Sequence, residues 1–225
     1  MTAAAPVRAA RPGRSAPAAA LVPALVTALA GGSVLAVIGQ TVAAVSGQRT
    51  GPWILARAAG LTAYVLLTAL VVTGLVLAHP RAARLRRPHP RTRLSLHAGL
   101  SAFTLVLVVL HVVVLATDRY AGVGWRGALV PFASSYRPLP VTLGVLGLYA
   151  GAVAGGTAAL AGRLGGRVWF GVHRVAAGSF VLAWLHAVLT GSDALGLRLL
   201  HALTGTVVAV LAVSRDLPAR DEAPA

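Results

Sequence analysis

Apolar runs of about 20 residues or more recur along this chain with almost no charge inside them, and a run of that length spans hydrocarbon as a helix. In lipid the backbone must satisfy its own polar groups, which leaves helices and closed barrels as the spanning structures. Six such runs stand at 20–45, 54–78, 94–117, 139–162, 168–190 and 196–214. Composition agrees: 57% of residues are hydrophobic, mean hydropathy is +0.79 and 11% are charged, below the share usual in a soluble domain. The expectation is an all-α, polytopic membrane bundle of six transmembrane helices over 19–215. Before it lies a basic arm at 1–18, rich in Ala, Pro and Arg and without periodicity, which reads as disordered. After it comes a short tail at 216–225.

The net charge of +15 rests on 20 basic residues, all arginine. They gather in the ends and loops, where topology and anionic headgroups explain them, so nucleic-acid binding is set aside. Arg8, Arg11 and Arg14, the loop HPRAARLRRPHPRTR (79–93), and Arg163 with Arg167 fall on one side if the helices alternate. The opposite loops are poorer in arginine, so the positive-inside rule puts both termini in the cytoplasm of a cell-membrane protein. The chain has no cysteine, which excludes disulfides, Cys-ligated iron–sulfur clusters and thioether-linked haem.

Five of the seven histidines lie within or at the ends of spans, where ionisable groups are costly and default to functional candidates. His97 and His111 are 14 residues apart on the third span, and His173 and His186 are 13 apart on the fifth. Those intervals cover about 21 and 20 Å of helix, and both spans run the same way, so the two helices offer one imidazole each at two matched depths. Zinc needs three or four ligands at one point, which two pairs so far apart do not supply. Proton relays usually enlist carboxylates, and no span carries one. Haem iron is different, since porphyrin fills its equatorial positions and leaves two axial sites for the protein. One check is less tidy. Thirteen residues fall about 140° short of four full turns, so the fifth span needs over-winding, tilt or altered rotamers, and Gly178 and Ser179 are the expected place.

Four segments, ARAAGLTAYVLL (56–67), RLSLHAGLSAFTLVLVVLHVVVL (93–115), VPFASSYRPL (130–139) and VWFGVHRVAAGSFVLAWLHAVLTGSD (168–193), cover most of 52–195. In them the chain resembles the ferric reductase-like transmembrane domain family. That family includes the membrane portions of ferric reductases and NADPH oxidases and the haem-binding membrane subunit of the bacterial methionine-sulfoxide reductase system. The resemblance implies two stacked b-type haems, with His97 and His173 as axial iron ligands of the inner one and His111 and His186 of the outer. It also implies an oxidoreductase component in electron transport from a cytoplasmic or quinol donor to an extracytoplasmic acceptor. Only SRDLPARDEAPA follows the sixth span, too little for a flavin- and nicotinamide-binding domain. Electrons are therefore expected from a partner reductase, a quinol, or FMN, FAD or quinone shared with a partner. Ferric iron, or an extracytoplasmic flavoprotein, molybdoenzyme or other reductase partner, is the expected acceptor.

Arg57 and Arg198 are candidates for the charge of the outer haem's propionates. His201, three residues past Arg198, either supports it or lines a docking site, and snorkelling to the interface is the plain alternative. Arg93 and Arg174 stand in the same relation to the inner site. Phe103 and Phe180 fall near mid-depth with packing as their default role. The loop 118–140 reads as a cap, a docking site or a connector. G-V-G-W-R-G (122–127) lacks any βαβ context and is discarded as a nucleotide fingerprint. Gly147, Gly151 and Gly155 share one helix face and read as a packing stripe. A haem-binding subunit with no substrate of its own is one rival. A non-redox scaffold or permease, with histidines used only for packing, is the other.

Overall fold

Proline opens three of the long helices. It stands in the first turn of α1 (Gly51–Ala78), α2 (Pro90–Thr117) and α4 (Pro138–Ala159), where the missing N–H has no helical partner to lose. The computed structural model describes residues 50–79, 89–160, 163, 166–190 and 196–216. The expected arm at 1–18, the first span at 20–45, most of the arginine-rich loop and residues 217–225 of the tail lie outside the described residues. The remaining helices are the short α3 (Gly124–Leu129), α5 (Gly166–His173), α6 (Val175–Thr190) and α7 (Arg198–Asp216).

The described residues are all helical or irregular, with no strand among them. Among the described residues five stretches are long and apolar enough to cross a membrane: Gly51–Ala78, Arg91–Thr117, Pro138–Ala158, Trp169–Thr190 and Arg198–Arg215. Their outward faces are apolar too. On α2 alone Leu94, Leu96, Leu105, Val106, Val109 and Val113 are exposed, a pattern that suits lipid and not water. The chain is thus a helical integral membrane protein.

Packing divides the bundle into two hairpins. α1 lies closely along α2, and α4 lies closely along α6, while α7 packs mainly on α1. α2 and α6, the histidine-bearing helices, are not among the closely packed pairs. Between the hairpins runs a cavity of about 2470 Å³, lined mostly by apolar side chains. Tyr64, Val71, Leu75 and Phe180 form the buried apolar cluster beside it.

The fifth expected span is broken once, at Arg174, and not at Gly178–Ser179, which lie inside continuous α6. There the Ala177 N–H donates to the Arg174 carbonyl three residues back, the tighter spacing of a 3₁₀ turn. Such a turn advances the chain by more degrees per residue than an α-helix, which is the direction of correction a 13-residue spacing requires. The glycine stripe also reads differently. A side chain at Gly147 would meet Leu182 Cβ at 3.4 Å and the Ala183 nitrogen at 3.5 Å, a true close approach of α4 to α6. Among the described residues nothing lies within 4 Å of a side chain added at Gly151 or Gly155, and the small residues there line the cavity.

The 118–140 segment is locally folded and held by side-chain hydrogen bonds. Asp118 ends α2 and its carboxylate accepts the amides of Tyr120 at 2.9 Å and Ala121 at 3.3 Å. Thr142, only 2% exposed, accepts the Phe132 amide at 2.7 Å and donates to the Pro138 carbonyl at 2.8 Å. Phe132 and Arg137 both take positive φ, 62° and 41°, unusual for residues with a Cβ. The Arg137 guanidinium donates to the Leu189 carbonyl at 2.7 Å, tying the segment to the end of α6. Thr142→Val removes the acceptor for a strained residue's amide while keeping volume. It is expected to cost about 1–3 kcal/mol. A lowered thermal midpoint in detergent, with faster amide exchange at Phe132, would show it.

Candidate functional site

Four imidazoles face one another in two pairs across the cavity. The His97 and His173 ring centroids are 6.2 Å apart with planes at 67°, and those of His111 and His186 are 6.5 Å apart at 77°. The pairs expected from matched depth therefore form, and the 13-residue interval does not prevent the second ladder column from aligning with the first. All four rings line the same cavity.

A repeated local device holds three of them. His111 Nδ1 bonds the Ala56 carbonyl at 2.7 Å, and a Cβ at Gly60 would stand 2.7 Å from that nitrogen. His186 Nδ1 bonds the Pro140 carbonyl at 2.8 Å, and a Cβ at Gly144 would stand 2.7 Å from it. His97 bonds the Leu70 carbonyl, and a Cβ at Gly74 would meet its Cε1 at 3.0 Å. In each case the glycine follows the accepting carbonyl by four residues. The reason is geometric. A helical carbonyl at one position points at residue four on, whose Cβ normally shields it, and glycine removes that shield. The second lone pair of the carbonyl is then open to a side chain from the neighbouring helix.

Since a carbonyl only accepts, Nδ1 of His111 and of His186 carries the proton, and Nε2 keeps its lone pair. His97 Nδ1 also lies 3.2 Å from Thr73 Oγ1, whose own proton goes to the Leu70 carbonyl at 2.8 Å, so the hydroxyl accepts from this ring. His173 is held differently. Fourteen residues past Pro140 and Gly144 stand Ala154 and Ala158. Among the described residues the His173 Nδ1 is buried without a partner, as is Trp169 Nε1, and the Trp169 ring stacks on the imidazole at 5.1 Å and 17°. Trp169 thus packs directly against a site histidine.

Of the other candidates, Arg57 is half-buried on the cavity wall, its guanidinium 4.4 Å over the Trp53 ring. Arg198 is exposed in the first turn of α7 and outside the cavity lining. Its neighbour His201 is 5% exposed, lines the cavity and lies edge-on to Tyr64 at 5.5 Å between centroids. Arg174 is exposed at the helix break and on the lining, while Arg93 is buried at the start of α2. Phe180 is buried and stacks on Tyr64 at 6.3 Å, while Phe103 is half-buried away from the lining. Among the described residues no group of three or more His, Cys, Asp or Glu converges on a point.

Sequence reasoning passed over Gly60, Gly74 and Gly144, and the backbone acceptors they uncover. A signal was present, because Gly60 and Gly74 are 14 residues apart, the same interval as His97 and His111 on the antiparallel neighbour.

Comparison with known protein families, with curated proteins and with solved structures gives no match. What the helices and cavity define is a class, a helical membrane protein with two opposed histidine pairs at different depths.

A polar cluster braces the cavity on the α7 side. Thr204 Oγ1 donates to the Leu200 carbonyl at 2.8 Å, so the hydroxyl contact between Tyr64 and Thr204 is donated by tyrosine. The Trp184 indole donates to the His201 carbonyl at 2.9 Å. Tyr64→Phe keeps the ring and deletes that one hydrogen bond. A loss of about 0.5–1.5 kcal/mol is expected, read as a lowered thermal midpoint in detergent.

Proposed function

We propose that the chain is a b-type dihaem electron-transfer protein, with His97 and His173 ligating one iron and His111 and His186 the other. The observation that carries this reading is the spacing of the ring pairs. An iron between two imidazoles, with bonds of about 2.0 Å and ring centres about 1.1 Å beyond each nitrogen, sets centroids about 6 Å apart. The pairs stand at 6.2 and 6.5 Å. Three further features support the fit. Nδ1 is engaged on three of the rings, which fixes the tautomer and leaves Nε2 as the free donor nitrogen. The cavity exceeds an ordinary ligand pocket of roughly 300–1,000 Å³ more than twofold. Its walls are largely apolar, and glycine, not a bulky residue, stands opposite three of the imidazoles.

When bound, haem iron supplies reversible one-electron chemistry. The chain's own part is to hold the two planes, exclude water and keep the imidazoles neutral and oriented. Arg57, on the cavity wall at the end where α1 begins, is placed to meet a propionate; Arg198 lies nearby in chain order to His201 but faces outward. The arrangement suits transfer between the two membrane faces. With the first span at 20–45 included, we read a six-helix topology in a cell membrane with both termini cytoplasmic, on the arginine distribution. The donor is a cytoplasmic reductase or a quinol and the acceptor is extracytoplasmic.

Purified protein should show a b-type reduced-minus-oxidised spectrum with two haems per chain. His111→Ala should remove one haem and leave the other, and His97→Ala should do the converse. A protein purified without any haem signal would sink the reading and leave the scaffold alternative. One haem per chain would mean that one pair packs without ligating.

A further inference from the structure

The carbonyl and glycine device does more than clear space, because it also fixes how each ring is turned. The ring planes within a pair stand at 67° and 77°, far from parallel. Each of the three supported rings has two constraints. Its Nδ1 is tied to a helix carbonyl, or to one and a threonine hydroxyl, and its face or edge lies against a position where no Cβ stands. Rotating His111 or His186 about its side-chain axis breaks the Nδ1 bond at 2.7 or 2.8 Å. Adding a Cβ at Gly60 or Gly144 forces that rotation, since the closest atoms are Nδ1, Cε1 and Cγ of the ring itself.

Resting on the haem ligation proposed above, we infer that Gly60, Gly144 and Gly74 are positioning residues that hold the axial imidazoles with steeply crossed planes. The orientation matters electronically. Each imidazole donates into one iron d orbital of π symmetry, so parallel rings split that pair of orbitals and crossed rings leave it nearly degenerate. Crossed rings therefore give the ferric low-spin iron a strongly anisotropic EPR signal, and parallel rings give an ordinary rhombic one. The two sites are also unequal. Both outer imidazoles have a backbone acceptor and a glycine, whereas the inner site has them only at His97, His173 being buried with its Nδ1 unpartnered.

The test is EPR of the oxidised full-length protein, with the two signals assigned by His97→Ala and His111→Ala. Wild type should show strongly anisotropic low-spin signals. Gly60→Ala and Gly144→Ala should shift the outer signal toward the rhombic type, or abolish it, with the inner signal unchanged. Gly74→Ala, whose Cβ meets the ring at a milder 3.0 Å, should move only the inner signal. Gly178→Ala, on α6 outside the cavity lining with no neighbour within 4 Å of the added Cβ among the described residues, should move neither. If Gly60→Ala does not fold, Gly74→Ala decides the matter. Haem-replete variants with unchanged signals, or ordinary rhombic signals in wild type, would overturn the inference while leaving the ligation intact. Wild type without haem would overturn the ligation itself.

Discussion

The hydrogen bond from an imidazole Nδ1 to a helix carbonyl on the neighbouring helix organises this bundle. In lipid a polar group without a partner is costly, and three of the four site histidines meet that cost with an acceptor on the neighbouring helix. Helical carbonyls are plentiful but shielded. The chain resolves the conflict by placing glycine four residues past the acceptor on α1 at Gly60 and Gly74 and on α4 at Gly144. Each such glycine sacrifices some helix propensity, about 1 kcal/mol relative to alanine. In return it lets two helices share a hydrogen bond at close range, and it determines which ring nitrogen stays free.

That bond also explains the pairing of helices. α1 lies along α2 because it carries acceptors for both histidines of α2, at Ala56 and Leu70. α4 lies along α6 and carries the acceptor for His186 at Pro140. The two hairpins are thus built alike, and each presents a column of imidazoles toward the other. Since α2 and α6 do not pack closely, the rings meet across space that the small residues of α4 help to widen. The polar contacts among Tyr64, Thr204, Trp184 and His201 brace one flank, joining α1 and α6 to α7.

Much of this was legible in the residues. Apolar length located the five spans that fall in the described residues, and α1, α2 and α4 begin or end within a few residues of the expected limits because proline and Asp118 mark those limits chemically. The histidine pairs were legible because spacings of 14 and 13 residues on two co-directional helices imply nearly matched depths. What escaped was the part that depends on a neighbouring helix. A glycine read along its own helix looks like a packing stripe, as Gly147, Gly151 and Gly155 did. Its meaning changes with the side chain that faces it, and only the Gly147 contact is helix packing. The helix break escaped for a similar reason. Gly178 and Ser179 have the composition of a kink, yet the irregular turn falls at Arg174, beside the residue whose direction has to be corrected.

The interruption at Arg174 separates the two rungs mechanically. His173 closes an eight-residue segment and His186 sits well inside a sixteen-residue one, so no unbroken rod joins them. On the opposite column His97 and His111 share a continuous helix of 28 residues. One upright is therefore stiff and the other is jointed. A change of tilt at the Gly166 end thus meets a joint at Arg174 before it reaches His186, whereas on the other column any tilt carries both rings together.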